Sequence, residues 1–138
     1  GSGILSIAAI NLGAGRALGV DIDPKSVDVA YENAALNGIG SSRYTVRAGN
    51  VLSDKVLVED LAGEGPYQMV LANIVADVII PLSAQVERFL PPAEGVFICS
   101  GIIDTRADEV EKALKKNGLR ILERIERDGW CAMAAEPA

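Results

Sequence analysis

The chain has 138 residues, of which 49% are apolar and 23% are charged, so it has the length for one domain and enough apolar residues for a packed core. Its net charge of −6 is unfavourable for direct nucleic-acid binding, which needs cations against phosphates. It has no histidine, which excludes a Ser-His-Asp triad, a histidine base and a histidine-ligated zinc. No apolar run suits a membrane span and no signal-peptide pattern opens the chain, so we expect a cytoplasmic protein.

Predicted helices and strands alternate along the chain. In chain order they are helix 4–12, strand 17–20, helix 24–37, strand 43–48, helix 54–61, strand 67–72, helix 78–90, strand 96–99, helix 106–117, strand 119–126 and strand 130–134. No internal repeat or low-complexity linker divides them, so we expect residues 1–138 to form a single domain. Cys99 and Cys131 lie in apolar stretches without CxxC spacing, which predicts two core residues and no disulfide or metal pair.

Three local patterns predict where helices begin and where a strand turns. Asp23 followed by Pro24 is typical of an N-cap and a first helical residue. Thr105 and Asp108 have the spacing of a capping box. Asp-Gly at 128–129 predicts a tight hairpin turn between the last two strands.

Strands that alternate with helices predict a parallel sheet covered on both faces, to which the final hairpin adds an antiparallel strand. The expected fold is therefore α/β and Rossmann-like. In such a sheet ligands bind beyond the carboxyl ends of the strands. The candidate site residues are those that follow each strand, together with the glycines at the start of the chain.

The start of the chain and the first strand suggest a nucleoside site. Gly1 and Gly3 precede a helix, where a backbone without side chains approaches a ligand closely and free N–H groups are available. Asp21 follows the next strand, eighteen positions after Gly3, at a distance typical of an acid that accepts hydrogen bonds from ribose hydroxyls. The alternative is that Asp21 and Asp23 only begin a helix.

Two asparagines follow later strands. Asn50 has both a donor and an acceptor for an adenine edge, or it is simply a turn residue after glycine. Asn73 precedes Ile74 at the end of its strand, where an amide orients an amine or caps the chain reversal. The residues alone leave both pairs of alternatives open.

Taken together, these segments resemble the ribosomal protein L-11 methyltransferase (PrmA) family over nearly the whole chain. Residues 1–9 are similar to the end of the family's glycine motif, and Gly-Val-Asp-Ile-Asp-Pro at 19–24 is similar to its acidic motif. Glu-Asn-Ala-Ala-Leu-Asn-Gly at 32–38 matches the helix end that follows. Residues 71–78 resemble its Ala-Asn-Ile segment, and 100–102 its Ser-Gly-Ile.

The resemblance implies a class I methyltransferase fold and the cofactor S-adenosyl-L-methionine. The glycine turn would lie beneath the methionine end of the cofactor, and Asp21 would hold the ribose. Asn50 and Val51 would border the adenine, and Asn73 would be the catalytic residue near the transferred methyl group. The implied cofactor-binding set is Gly1, Gly3, Asp21, Ile22, Asn50, Val51 and Asn73.

The implied reaction is N-methylation of lysine and N-terminal amino groups of a ribosomal protein, with no metal. A neutral amine attacks in line a methyl group that the sulfonium has already activated, so the absence of histidine is no obstacle. The implied partner is the ribosomal protein substrate, with no direct nucleic-acid contact and no membrane.

The chain also departs from the family. An Asp-x-Gly-Cys run on a strand precedes the glycine turn in the family, and here the sequence starts after it. That strand would be the central one, between the strands that end at Asp21 and Asn73. We therefore expect weak cofactor binding, no methylation by this polypeptide alone, and self-association through an exposed sheet edge.

Two other functions remain open at the level of sequence. A nucleotide-dependent oxidoreductase would also have glycines followed by an acid, but Ser6 stands where the third glycine of the dinucleotide fingerprint belongs. An inactive relative that acts only as a folding or partner-binding module is the stronger alternative.

Overall fold

The computed structural model describes all residues from 1 to 138 and contains five α-helices and six β-strands. In chain order these are α1 Ile4–Asn11, β1 Ala17–Asp21, α2 Pro24–Leu36, β2 Tyr44–Ala48, α3 Lys55–Glu64, β3 Met69–Asn73, α4 Ala76–Ser83, β4 Val96–Ile103, α5 Ala107–Lys116, β5 Leu119–Arg127 and β6 Trp130–Pro137. The chain divides into two compact units, residues 1–57 and 58–138. No helix has the length and apolar character needed to cross a lipid bilayer.

The first unit is built on two parallel strands. β1 pairs with β2 in a register that sets Ala17 opposite Tyr44 and Asp21 opposite Ala48. Small residues on α2 let that helix pack closely, and Ala30 and Ala34 are almost fully buried. The buried cluster consists of Ile7, Ile10, Ala30, Ala34, Ile39, Tyr44 and Val46.

The start of α2 confirms the predicted cap. Asp23 has an extended backbone, and its carboxylate accepts a hydrogen bond from the Lys25 N–H at 2.9 Å. Pro24 occupies the first turn, where a missing N–H costs nothing. Asp23 is therefore the N-cap of α2, a role that Asp21 does not share.

The second unit contains a mixed sheet with the strand order β3-β4-β6-β5. β3 and β4 are parallel, and β6 lies antiparallel between β4 and β5. α4 contacts β4, and α5 contacts β5. The best-buried side chains of this unit include Ile79, Phe97, Cys99, Ile102, Val110, Leu114, Cys131, Met133 and Ala135.

The hairpin that joins β5 to β6 turns at the predicted residues. Asp128 and Gly129 have φ angles of 52° and 84°, both in the left-handed region that a two-residue hairpin turn requires. Both cysteines are free and buried, as their apolar surroundings predicted.

Two predicted helix boundaries are wrong. The capping box does not form, because Thr105 lies in a 3₁₀ turn and α5 begins only at Ala107, with no side-chain cap. Arg106 instead binds Asp77 and Glu109. The apolar spacing over 78–90 belongs to two elements, α4 and a separate 3₁₀ turn at Val86–Arg88.

Each sheet has an edge next to the candidate site residues. β1 is hydrogen-bonded only to β2, and β3 only to β4. One side of each strand therefore carries N–H and C=O groups without a strand partner, the type of edge to which another strand can add.

Replacing Asp23 by alanine should lower the free energy of unfolding by about 1 kcal/mol, because the Lys25 N–H loses its acceptor at the start of α2. Urea denaturation measures this change. Asp28→Ala is the control, since Asp28 is exposed on the same helix and does not cap it. Equal losses for both variants would contradict the capping role.

The buried thiols predict a loss of stability in alkali. Burial, with a smaller effect from Cys131, raises the pKa of Cys99 from 9.0 to about 11. The unfolded chain therefore releases this proton first, so the free energy of unfolding should be unaffected by this thiol below pH 9.0 and fall as pH rises toward about 11. Urea titrations across this window should show a smaller decline for Cys99→Ala than for the wild type.

Candidate cofactor site

The glycine turn at the start of the chain leads directly into α1. Gly3 is the residue before the helix and has a left-handed backbone, with a φ of 82°. No side chain caps α1, so the N–H groups of its first turn keep no side-chain partner and point out of the helix toward the turn. This end of the helix offers hydrogen-bond donors and a partial positive charge.

The turn lies against a buried aromatic ring, which explains the need for glycine. The Tyr44 hydroxyl oxygen is 2.9 Å from the point where a Cβ on Gly3 would be, and 3.1 Å from the corresponding point on Gly19. The Ala30 Cβ lies 3.2 Å from the same point on Gly3. Any side chain at Gly3 would therefore push the turn away from Tyr44 of β2 and Ala30 of α2.

A side chain of α2 also holds the turn. Asn33 donates a hydrogen bond from Nδ2 to the Ser2 carbonyl oxygen at 2.9 Å, across 31 positions of sequence. Asn37 in turn donates to the Asn33 carbonyl oxygen at 2.9 Å, one helical turn later. The glycine turn is thus fixed to α2 by a hydrogen bond and to β2 by contact with Tyr44.

Asp21 lies at the carboxyl end of β1, beside this turn. Its side chain is 19% exposed. Oδ1 accepts the Asp23 N–H at 2.9 Å, and Oδ2 pairs with the amino group of Gly1. The end of β1 therefore places a carboxylate beside the glycine turn.

The third segment of the first unit follows β2. Gly49 donates its N–H to the Asp21 carbonyl oxygen at 2.9 Å, which keeps the residues after β2 close to those after β1. Asn50 uses its Oδ1 to accept the Leu52 N–H at 2.9 Å, so it is a turn residue, while its Nδ2 remains a donor. Val51 is half-buried and Ile22 is 70% exposed.

Asn73 belongs to the second unit. It ends β3 opposite Ser100 of β4, and the following Ile74 N–H donates to the Ser100 carbonyl oxygen at 3.2 Å. The Asn73 side chain is exposed, and its Oδ1 contacts Gly101. The chain reversal after β3 is held by this backbone hydrogen bond of Ile74.

These features match a known family over the chain's full length. The sequence profile of the family described as ribosomal protein L11 methyltransferase (PrmA) matches residues 1–137. The chain belongs to this family. A ribosomal protein L11 methyltransferase of Lachnospira eligens is 42% identical over 136 residues, which cover 98% of this chain and 42% of that protein. One from Heliobacterium modesticaldum is 43% identical over 138 residues, all of this chain and 40% of that protein.

Solved structures agree with the sequence comparison. The crystal structure of ribosomal protein L11 methylase from Lactobacillus delbrueckii subsp. bulgaricus has a TM-score of 0.86 and 34% identity, over 99% of this chain and 66% of that one. A precorrin-6y C5,15-methyltransferase from Geobacter metallireducens, at 17% identity and a TM-score of 0.77, shares the fold alone. The predicted class I methyltransferase fold is confirmed. The family also rules against the oxidoreductase alternative.

The chain spans about 40% of the length of the curated relatives. Their names therefore describe longer proteins. The activity of those proteins, their substrates and their partners are proposals for this chain.

Sequence reasoning missed two residues that shape the site. In the sequence, Asn33 stood out only as part of the helix end that matches the family. The signal that could have identified it is its spacing from Asn37, which places two amides one helical turn apart after the acidic motif. Tyr44 was visible only as a strand residue. In both cases the partner, the glycine turn, is distant in sequence.

Replacing Asn33 by alanine should loosen the glycine turn, because the Ser2 carbonyl loses its only side-chain donor from α2. We expect faster hydrogen exchange of turn and first-turn amides, and about a five-fold weaker affinity for a ligand bound there, since one hydrogen bond contributes about 1 kcal/mol. Asn37→Ala is the control, because Asn37 bonds only within α2. Unchanged exchange in Asn33→Ala would contradict this role.

Proposed function

We propose that the chain is the cofactor-binding part of an S-adenosyl-L-methionine-dependent N-methyltransferase that modifies amino groups of ribosomal protein L11. The observation that carries the proposal is the position of Asp21 at the end of β1, because Tyr44 packs against both Gly19 of that strand and Gly3 of the glycine turn. Family membership and the names of the relatives support the reaction class and the substrate.

The donors and acceptors of the first unit fit such a cofactor. A ribose presents two neighbouring hydroxyl groups, and Asp21 has a carboxylate that only accepts hydrogen bonds. The uncapped start of α1 offers N–H groups to a carboxylate of an amino-acid moiety. The free Nδ2 of Asn50 suits an acceptor nitrogen on an adenine edge, and Ile22 and Val51 supply apolar contact.

When bound, S-adenosyl-L-methionine supplies a methyl group activated by a sulfonium. The chain's own residues would then bind the cofactor and orient it. Gly1 and Gly3 let the backbone approach the amino-acid end, and Asp21 fixes the ribose. These contacts lower the entropy cost of an in-line approach, which holds reacting atoms at about 3–3.5 Å.

Asn73 would act on the methyl acceptor. A lysine or N-terminal amine must be neutral to attack, and the Oδ1 of an amide accepts a hydrogen bond from an N–H without supplying a proton. Asn73 would thereby orient the amine's lone pair. Its lack of charge also avoids stabilising the protonated and unreactive form of the amine.

The decisive test is calorimetric titration of S-adenosylhomocysteine into Asp21→Asn beside Asp23→Asn. Both variants lose one negative charge and keep the side-chain size, and asparagine is as good an N-cap as aspartate. We expect Asp21→Asn to weaken binding at least about ten-fold, because hydrogen bonds to a charged acceptor contribute about 1.5–3 kcal/mol. Asp23→Asn should bind as the wild type does.

Two results would contradict the proposal. Equal affinities for wild type and Asp21→Asn would remove Asp21 from the site. A well-folded wild-type chain that does not bind S-adenosylhomocysteine, with circular dichroism as the folding control, would show that residues 1–138 do not form a working cofactor site by themselves.

A further inference from the structure

β4 has a β-bulge at the position that faces Asn73. Cys99 pairs with Met133 of β6, and Ile102 pairs with Cys131, so the register shifts across the two residues between them. Gly101 lies in this bulge with a φ of 76°, in the left-handed region. The irregularity is a feature of the strand that neighbours β3.

The space above Gly101 is filled by the Asn73 amide. A Cβ built on Gly101 would overlap the Asn73 Oδ1, well inside van der Waals contact, and would lie 3.4 Å from both the N and the O of Ile74. The Asn73 amide oxygen therefore lies in the space that a side chain on Gly101 would fill. The contact with Gly101 of β4 limits the orientations that this amide can adopt.

We propose that Gly101 is a positioning residue for Asn73. The space left by its missing Cβ receives the Asn73 Oδ1, and this contact sets the direction of the amide. The inference rests on the proposed function only in giving Asn73 its role toward the amine. The steric relation between the two residues stands by itself.

Gly129 supplies a matched control. It has a φ of 84°, close to that of Gly101, and it lies in the β5–β6 turn of the same unit. A Cβ on Gly129 would meet nothing within 4 Å. Gly129→Ala therefore imposes the same backbone strain as Gly101→Ala without displacing a side chain.

The direct readout is the side-chain rotamer of Asn73, measured by three-bond NMR couplings from its Cγ to the backbone nitrogen and carbonyl carbon. We expect one rotamer in the wild type and in Gly129→Ala, and a different or averaged rotamer in Gly101→Ala. An averaged rotamer in the wild type would overturn the proposal, even if Gly101→Ala failed to fold. So would unchanged couplings in Gly101→Ala.

A double-variant cycle tests whether the clash is with Asn73. Gly101→Ala should lower the melting temperature more than Gly129→Ala, and adding Asn73→Ala should remove that excess. An excess that persists without the Asn73 amide would assign the effect to the backbone of Ile74 and overturn the proposal.

The positioning of Asn73 and the proposed function fail on different results. Failure of the Asp21 titration would refute the proposed function and leave the rotamer result intact.

Discussion

The close approach of the glycine turn to Tyr44 is the constraint on which the candidate site depends. A left-handed residue is needed to lead the chain into α1, and at the same residue the Tyr44 hydroxyl and the Ala30 methyl take the space of a side chain. Only glycine satisfies both demands. Since Tyr44 also lies against Gly19 of β1, one buried ring sets the distance between the turn and the strand that ends at Asp21. The position of the glycine turn relative to β1 is thus fixed by packing.

Features held by near neighbours in sequence could be predicted, and features held by distant ones could not. The Asp23 cap and the Asp128–Gly129 turn depend on residues at most two or three positions away, so a short stretch of sequence was enough to predict them. Thr105 had an equally good local pattern, but Arg106 pairs with Asp77, 29 positions away, and α5 begins later. The hydrogen bond from Asn33 to Ser2 spans 31 positions, so no pattern of spacing contained it.

Asp21 and Asn73 are held by different physical means. Asp21 is held by hydrogen bonds, with the Asp23 N–H on one carboxylate oxygen, and a buried or half-buried charge needs such partners. Asn73 is neutral and exposed, and contact with Gly101 orients it. Charge determines what Asp21 can bind, whereas shape determines where the Asn73 amide points. A change of charge is therefore the informative perturbation for the first, and a change of volume for the second.

This difference follows the division of the chain. The glycine turn, Asp21 and Asn50 lie in the first unit, where the Gly49 N–H donates to the Asp21 carbonyl oxygen. Asn73 lies in the second unit, on a strand whose neighbour β4 is irregular where the amide rests. Residues with a common contact are energetically coupled, as Gly3 and Gly19 are through Tyr44. Under the proposed roles, substitutions around Asp21 test binding of the nucleoside part of the cofactor, and substitutions around Asn73 test the orientation of the attacking amine.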